Sequence, residues 1–199
     1  ATGGDTLLMA GTRWTPLPTD WSRDGRYLLM TRAASTADTL ARSEIWAYDF
    51  TAGRPIRVLG SGGNVADGAL SPDGRWLAYA SDESGASEIY VRPFLRSGEP
   101  ARVSVNGGRR PRWRNDGREL YFETPDGRMM STSVTPGSTV AFGTPQMLFR
   151  VPSWLRGMFF DPGVPYDVNG DGTHFVLRTS PASNAAVLVE NWPALLGRW

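Results

Sequence analysis

Leu70-Ser71-Pro72-Asp73-Gly74-Arg75-Trp76-Leu77-Ala78-Tyr79 joins a turn signal directly to an apolar strand signal. Asp73-Gly74 closes a tight turn, because glycine takes the positive φ such turns require without steric cost. Trp76 to Tyr79 is a short, β-prone run bounded by that turn. The unit returns along the chain. Ser22-Arg23-Asp24-Gly25-Arg26 leads into Tyr27-Leu28-Leu29-Met30, and Arg114-Asn115-Asp116-Gly117-Arg118 leads into Leu120-Tyr121-Phe122. A looser copy, Asn169-Gly170-Asp171-Gly172-Thr173, leads into Phe175-Val176-Leu177.

The glycines of these turns lie 49, 43 and 55 residues apart. A propeller blade takes roughly 40–50 residues. A further strand follows each copy: Glu44 to Tyr48, Glu88 to Val91, Met129 to Ser131 and Ala186 to Val189. Three copies continue into a fourth strand, at Pro55–Leu59, Ala101–Val105 and Gln146–Phe149. No long helical period competes with these strands. The pattern predicts an all-β fold in one domain, 1–199, a β-propeller with four recognisable four-stranded blades at about 16–60, 64–106, 109–150 and 164–192. The last copy runs out of sequence after its third strand, so residues 5–11 are expected to complete it and hide its open edge. At about 45 residues per blade the length holds four blades, which raises three arrangements: a minimal ring, a piece of a longer propeller, or half of a dimeric eight-bladed ring.

Composition narrows the chemistry. The 23 Gly and 15 Pro fit a turn-rich chain, and 8 Trp supply apolar surface to bury. All 21 basic residues are Arg. Without lysine neither Schiff-base chemistry nor a Walker-type phosphate loop can be built. Without cysteine there is no disulfide, thiolate nucleophile or zinc–thiolate site. The net charge of +1 gives no drive toward nucleic acid. No apolar run reaches the ~20 residues of a membrane-spanning helix. The start, Ala1-Thr2-Gly3-Gly4, has no Met and no leader-like run, and reads as excised or processed. Cytoplasm and periplasm both stay open.

Pro18-Thr19-Asp20-Trp21-Ser22-Arg23-Asp24-Gly25-Arg26 and Leu70 to Tyr79 resemble the PD40, or TolB-like, propeller repeat. Ser81-Asp82-Glu83-Ser84-Gly85-Ala86-Ser87-Glu88-Ile89-Tyr90-Val91-Arg92-Pro93-Phe94 and the ending Val187 to Trp192 resemble the propeller that follows the catalytic domain of many bacterial serine/threonine kinases. The resemblance covers about Pro16 to Leu196. It implies a sensor or interaction platform, and it implies no kinase activity, since the kinase loops are absent.

Propeller sites usually lie at the central channel. Trp21, Leu70, Trp113 and Val168 are equivalent apolar positions expected to pack between blades. Alternation then turns Asp20, Ala69, Arg112 and Asp167 toward the channel, and with them Pro18, Asp67, Arg110 and Pro165. Asp20, Asp67 and Asp167 are the candidate catalytic carboxylates, because two carboxylates across a glycosidic bond serve as acid and base. Arg110 and Arg112 are the candidate anion-binding groups. An aromatic insertion, Val151 to Pro162, offers Trp154 and Phe159, with Met158 and Phe160, as a pocket wall or subunit contact. Equally it could fold over the blades as a small core.

Other signals are weaker. Asp167-Val168-Asn169-Gly170-Asp171-Gly172 opens like a calcium loop, but the position of the bidentate Glu holds Arg178. No metal and no cofactor is therefore expected. His174, the single histidine, falls in a second strand away from the channel, with no nucleophile elbow in the chain. The run Arg109-Arg110-Pro111-Arg112-Trp113-Arg114 is split between two faces by alternation, which argues against nucleic acid. The expectation is a non-enzymatic module that binds a protein or a small polar ligand at the channel, within a larger bacterial protein, with homodimerisation as the assembly. The alternative is a hydrolase, such as a glycosidase, that uses the channel carboxylates.

Overall fold

The computed structural model describes residues 8, 16–32, 42–60, 62–137, 139–151, 166–178 and 186–189. These residues form four antiparallel sheets in chain order. The first runs β1 (Pro16–Trp21), β2 (Tyr27–Arg32), β3 (Glu44–Asp49), β4 (Arg54–Leu59), each strand beside the next. The second repeats that order with β5 (Val65–Leu70), β6 (Trp76–Ser81), β7 (Glu88–Pro93) and β8 (Ala101–Arg102). The third holds β9 (Arg109–Trp113), β10 (Glu119–Glu123), β11 (Arg128–Thr135), β12 (Ala141–Phe142) and β13 (Gln146–Arg150). The fourth has three described strands, β14 (Tyr166–Val168), β15 (Phe175–Arg178) and β16 (Ala186–Val189). No helix among the described residues is long and apolar enough to cross a membrane.

The Asp-Gly units make the β1–β2, β5–β6, β9–β10 and β14–β15 turns. Their glycines have φ of 73°, 68°, 71° and 79° at Gly25, Gly74, Gly117 and Gly172. Each glycine N–H donates back to the first turn residue, from Gly25 to the Ser22 carbonyl at 2.9 Å and from Gly74 to the Ser71 carbonyl at 2.8 Å. Ser22 and Ser71 also donate their hydroxyls to Asp24 and Asp73, both at 2.6 Å. A fifth turn of the same build, Thr124-Pro125-Asp126-Gly127-Arg128, joins β10 to β11, with the Gly127 N–H donating to the Thr124 carbonyl at 2.9 Å.

Two outer strands differ from the sequence reading. β8 stops at Arg102, because the Ser104 hydroxyl takes over the Ile89 N–H at 2.8 Å and ends the ladder. In the third sheet the outer position is divided. β12 pairs one end of β11 and β13 the other, with Gly143-Thr144-Pro145 between them. Proline has no N–H to give a ladder, so pairing breaks there.

Each sheet packs face to face on the next. Leu29, Ile45, Val65, Leu70, Leu77 and Tyr79 fill the first interface. Ala69, Ala78, Ile89, Trp113, Leu120 and Phe122 belong to the second. Tyr121, Phe149, Tyr166, Phe175 and Leu177 belong to the third. Leu70 and Trp113 are therefore buried against the preceding sheet, and the Trp113 indole N–H donates to the Ala69 carbonyl at 3.1 Å. The equivalent Trp21 does not pack between sheets. It is 56% exposed and stacks on Phe50, because among the described residues no sheet precedes the first. Val176, whose counterparts Leu29, Ala78 and Tyr121 face the following sheet, is 45% exposed at the other end. The segments expected to complete the last blade (5–11, Leu8 excepted) and to form the aromatic insertion, Trp154 and Phe159 included, lie outside the described residues, as does Pro165.

Candidate functional site

The innermost strands β1, β5, β9 and β14 contribute together to one cavity of about 710 Å³. Asp20 and Trp21 line it from β1, Ala69 and Leu70 from β5, Arg112 and Trp113 from β9, and Tyr166, Asp167 and Val168 from β14. Arg23 and Asn115 reach it from the turns and are hydrogen-bonded to each other, guanidinium to amide oxygen.

Asp20, Arg112 and Asp167 are thus brought together as alternation predicts. Asp20 is held on both oxygens by backbone, accepting the Leu70 N–H at 2.7 Å and its neighbour Trp21's N–H at 2.8 Å. Burial raises its carboxyl above the ordinary carboxylate value, and the negative charge of Asp167 pushes the same way. The Leu70 N–H and the Arg112 charge oppose this without cancelling it. Asp167 is exposed and, among the described residues, accepts only the Val168 N–H, at 2.9 Å. Arg112 donates to the Pro111 carbonyl at 2.8 Å and, across the cavity, to the Thr19 carbonyl at 3.2 Å. Among the described residues neither carboxylate forms an ion pair with Arg112.

Asp67 and Arg110 go elsewhere, and the reason is a β-bulge. β1, β5 and β9 each carry one extra residue against their partner strand, between Pro18 and Asp20, between Ala66 and Ala69, and between Arg109 and Arg112. An extra residue breaks the period of two, so positions behind it leave the channel face. Asp67 and Arg110 sit in these bulges with φ of 58° and 55°. The Asp67 carboxylate accepts the Arg110 N–H at 3.1 Å, tying the second sheet to the third. The Arg110 carbonyl accepts the Tyr166 hydroxyl at 2.6 Å, tying the third to the fourth. The Arg110 guanidinium is buried against Glu123, at 3.1 Å. Neither residue lines the cavity.

Sequence reasoning passed over Tyr166, Glu123, Arg23 and Asn115. Arg23 and Asn115 could have been found from the repeat, since both occupy the turns that rim the innermost strands. His174 bonds to Asn169 and Thr173, outside the cavity lining.

No protein-family model matches the chain. The Tol-Pal system protein TolB of Anaeromyxobacter dehalogenans is 32% identical over 96 residues, 48% of this chain and 21% of that protein. Tricorn protease homolog 1 of Streptomyces coelicolor is 29% identical over 153 residues, 73% of this chain and 13% of that protein. The crystal structure of TolB from Acinetobacter baumannii superposes with a TM-score of 0.61 at 19% identity, covering 92% of this chain and 42% of that one. The chain folds as a β-propeller like that of TolB. This TolB-like propeller spans 13% of the length of the tricorn homolog and 21% of that of TolB, the curated relatives it matches. Its central cavity is the position where all four repeats converge.

Proposed function

We propose that this TolB-like propeller is a non-enzymatic binding module, the scaffold or sensing part of a larger bacterial protein, with the central cavity as its ligand site. A protein segment or a small polar ligand would enter there. The reading rests on one observation: three of the four repeats deliver Asp20, Arg112 and Asp167 into a single cavity, each bonded to backbone and, among the described residues, none paired with another. Charges that merely complete a fold are usually paired. The TolB relatives, named for the Tol-Pal system, are the precedent for a role in an assembly. The exposed ends at Trp21 and Val176 are where a second copy would add its sheets.

A calorimetric or thermal-shift screen of small polar compounds tests the site. Hits should weaken about tenfold or more in Arg112→Gln, the value of a charged hydrogen bond. They should be unchanged in Val105→Ser, which alters an exposed residue outside the cavity lining. Hits that ignore Arg112 would mean the cavity is not the site.

A hydrolase is the second reading, favoured by the unlike environments of two carboxylates in one cavity. Asp20, raised by burial, suits a general acid, and exposed Asp167 suits a base or nucleophile. Asp67 drops out of that pair, since its carboxylate is engaged by Arg110. Turnover of chromogenic glycosides should then fall at least 100-fold (about two orders of magnitude, the scale of general acid–base catalysis) in Asp20→Asn and in Asp167→Asn. Turnover that is absent, or indifferent to both changes, leaves binding alone.

A further inference from the structure

We infer that the cavity is built for a zwitterion: a small ligand of short-peptide size whose carboxylate docks on Arg112 and whose ammonium docks on Asp167, with Asp20 as a fixed negative charge behind it. The inference rests on reading the cavity as a ligand site.

The argument begins with what each charge is already doing. Arg112 spends one N–H of each terminal nitrogen on a carbonyl, Pro111 at 2.8 Å and Thr19 at 3.2 Å. A guanidinium has five N–H donors and stays charged throughout the working pH range. Donors remain in the same plane, the geometry that suits a carboxylate. On β14, Asp167 accepts the Val168 N–H on Oδ1 and has no partner on its other oxygen among the described residues. Asp20 has both oxygens capped by N–H groups and cannot swing to meet Arg112.

The backbone bonds therefore hold the three charges apart. Opposite charges that share a cavity gain by pairing unless something fixes them. Here the fixing groups are themselves part of the fold: the Thr19 carbonyl lies in the β1 bulge, and the Leu70 N–H ends β5. What results is a positive and a negative group that line one cavity, each held by backbone rather than by the other. A ligand with one charge of each sign satisfies both poles and adds no net charge to a half-buried site. A polyanion would meet Asp20 and Asp167, and a polycation would meet Arg112 and Arg23. A neutral sugar would leave both poles unmatched. The volume, about 710 Å³, falls among ordinary ligand sites and exceeds what one free amino acid fills.

Triglycine is the probe, measured by isothermal calorimetry against the folded chain. Two capped forms delete one pole each: N-acetyl-triglycine lacks the ammonium, and triglycinamide lacks the carboxylate. Triglycine should bind, and each cap should weaken it about tenfold or more. The protein changes should mirror the caps. Asp167→Asn should weaken triglycine as acetylation does and be indifferent to acetylation, and Arg112→Gln should be indifferent to amidation. Asp167 is exposed, so its variant should melt like the parent, which separates lost binding from lost folding. Capped and uncapped peptides binding alike would overturn the inference. So would Arg112-dependent binding of maltose with no binding of triglycine, which would leave the ligand site standing. If no probe binds, both readings fall together.

Discussion

Replacing Glu123 by alanine should lower the unfolding free energy by about 3–5 kcal/mol, the cost of breaking a buried ion pair from one side. Glu123 is fully buried at the end of β10. One carboxylate oxygen accepts from Arg109 at 3.2 Å and the other from Arg110 at 3.1 Å. Burial raises its carboxyl above the ordinary value, and the two guanidinium groups oppose this without cancelling it. Arg110 is 6% exposed, so the alanine variant takes a carboxylate away from a buried cation. The loss should spread, because the backbone of Arg110 also takes the Asp67 and Tyr166 bonds that join three sheets. Glu123→Gln keeps the shape and one acceptor and should cost less than the alanine. Urea unfolding of the three proteins measures the ladder. An alanine variant within about 1 kcal/mol of the parent, the range of an exposed pair, would show that the cluster does not hold the sheets.

The same cluster marks the limit of what the residues reveal when read along the chain. The Asp-Gly turns were legible because their physics is local: a positive φ at one glycine, a hydrogen bond across four residues and an apolar run immediately after. Asp20, Arg112 and Asp167 were legible too, since they sit one residue before the strand end, where alternation still holds. Asp67 and Arg110 were not. Each lies in a bulge, and a bulge inserts one residue without changing the composition around it. Trp21 was misjudged for another reason. Its equivalents are buried by the sheet before them, and burial depends on a neighbour that the repeat itself does not contain. The Arg110–Glu123 pair spans 13 residues and joins two strands whose register the bulge shifts, so no local spacing announces it. Pro125-Asp126-Gly127-Arg128 did carry a signal, matching Pro72-Asp73-Gly74-Arg75, but the blade-length spacing hides a turn that falls inside a blade.

Gly172→Ala should cost about 2–5 kcal/mol, well above the same change at its repeat equivalents. All four turn glycines are left-handed, so alanine at any of them incurs about 1–2 kcal/mol of backbone strain. At Gly25 and Gly74 that is the whole effect, because an added Cβ meets nothing within 4 Å. At Gly117 the nearest atom is Pro72 Cδ at 3.6 Å, ordinary contact. At Gly172 the methyl would land on the Tyr121 hydroxyl and come within 3.1 Å of Arg114 Cδ. Tyr121 cannot give way cheaply. Its ring is fully buried edge-on to Phe175 at 5.2 Å, and its hydroxyl donates to Glu119 at 2.6 Å. Overpacking of this kind adds about 1–3 kcal/mol. The steric share can be isolated in a double-mutant cycle with Tyr121→Phe, which deletes the atom that is struck. Gly172→Ala should cost less in the Tyr121→Phe background than in the parent, while Gly74→Ala should cost the same in both. Equal costs for Gly172→Ala in the two backgrounds would mean that the fourth turn does not press on the third sheet as described, and would remove one support for the packing that brings Asp167 and Arg112 into one cavity.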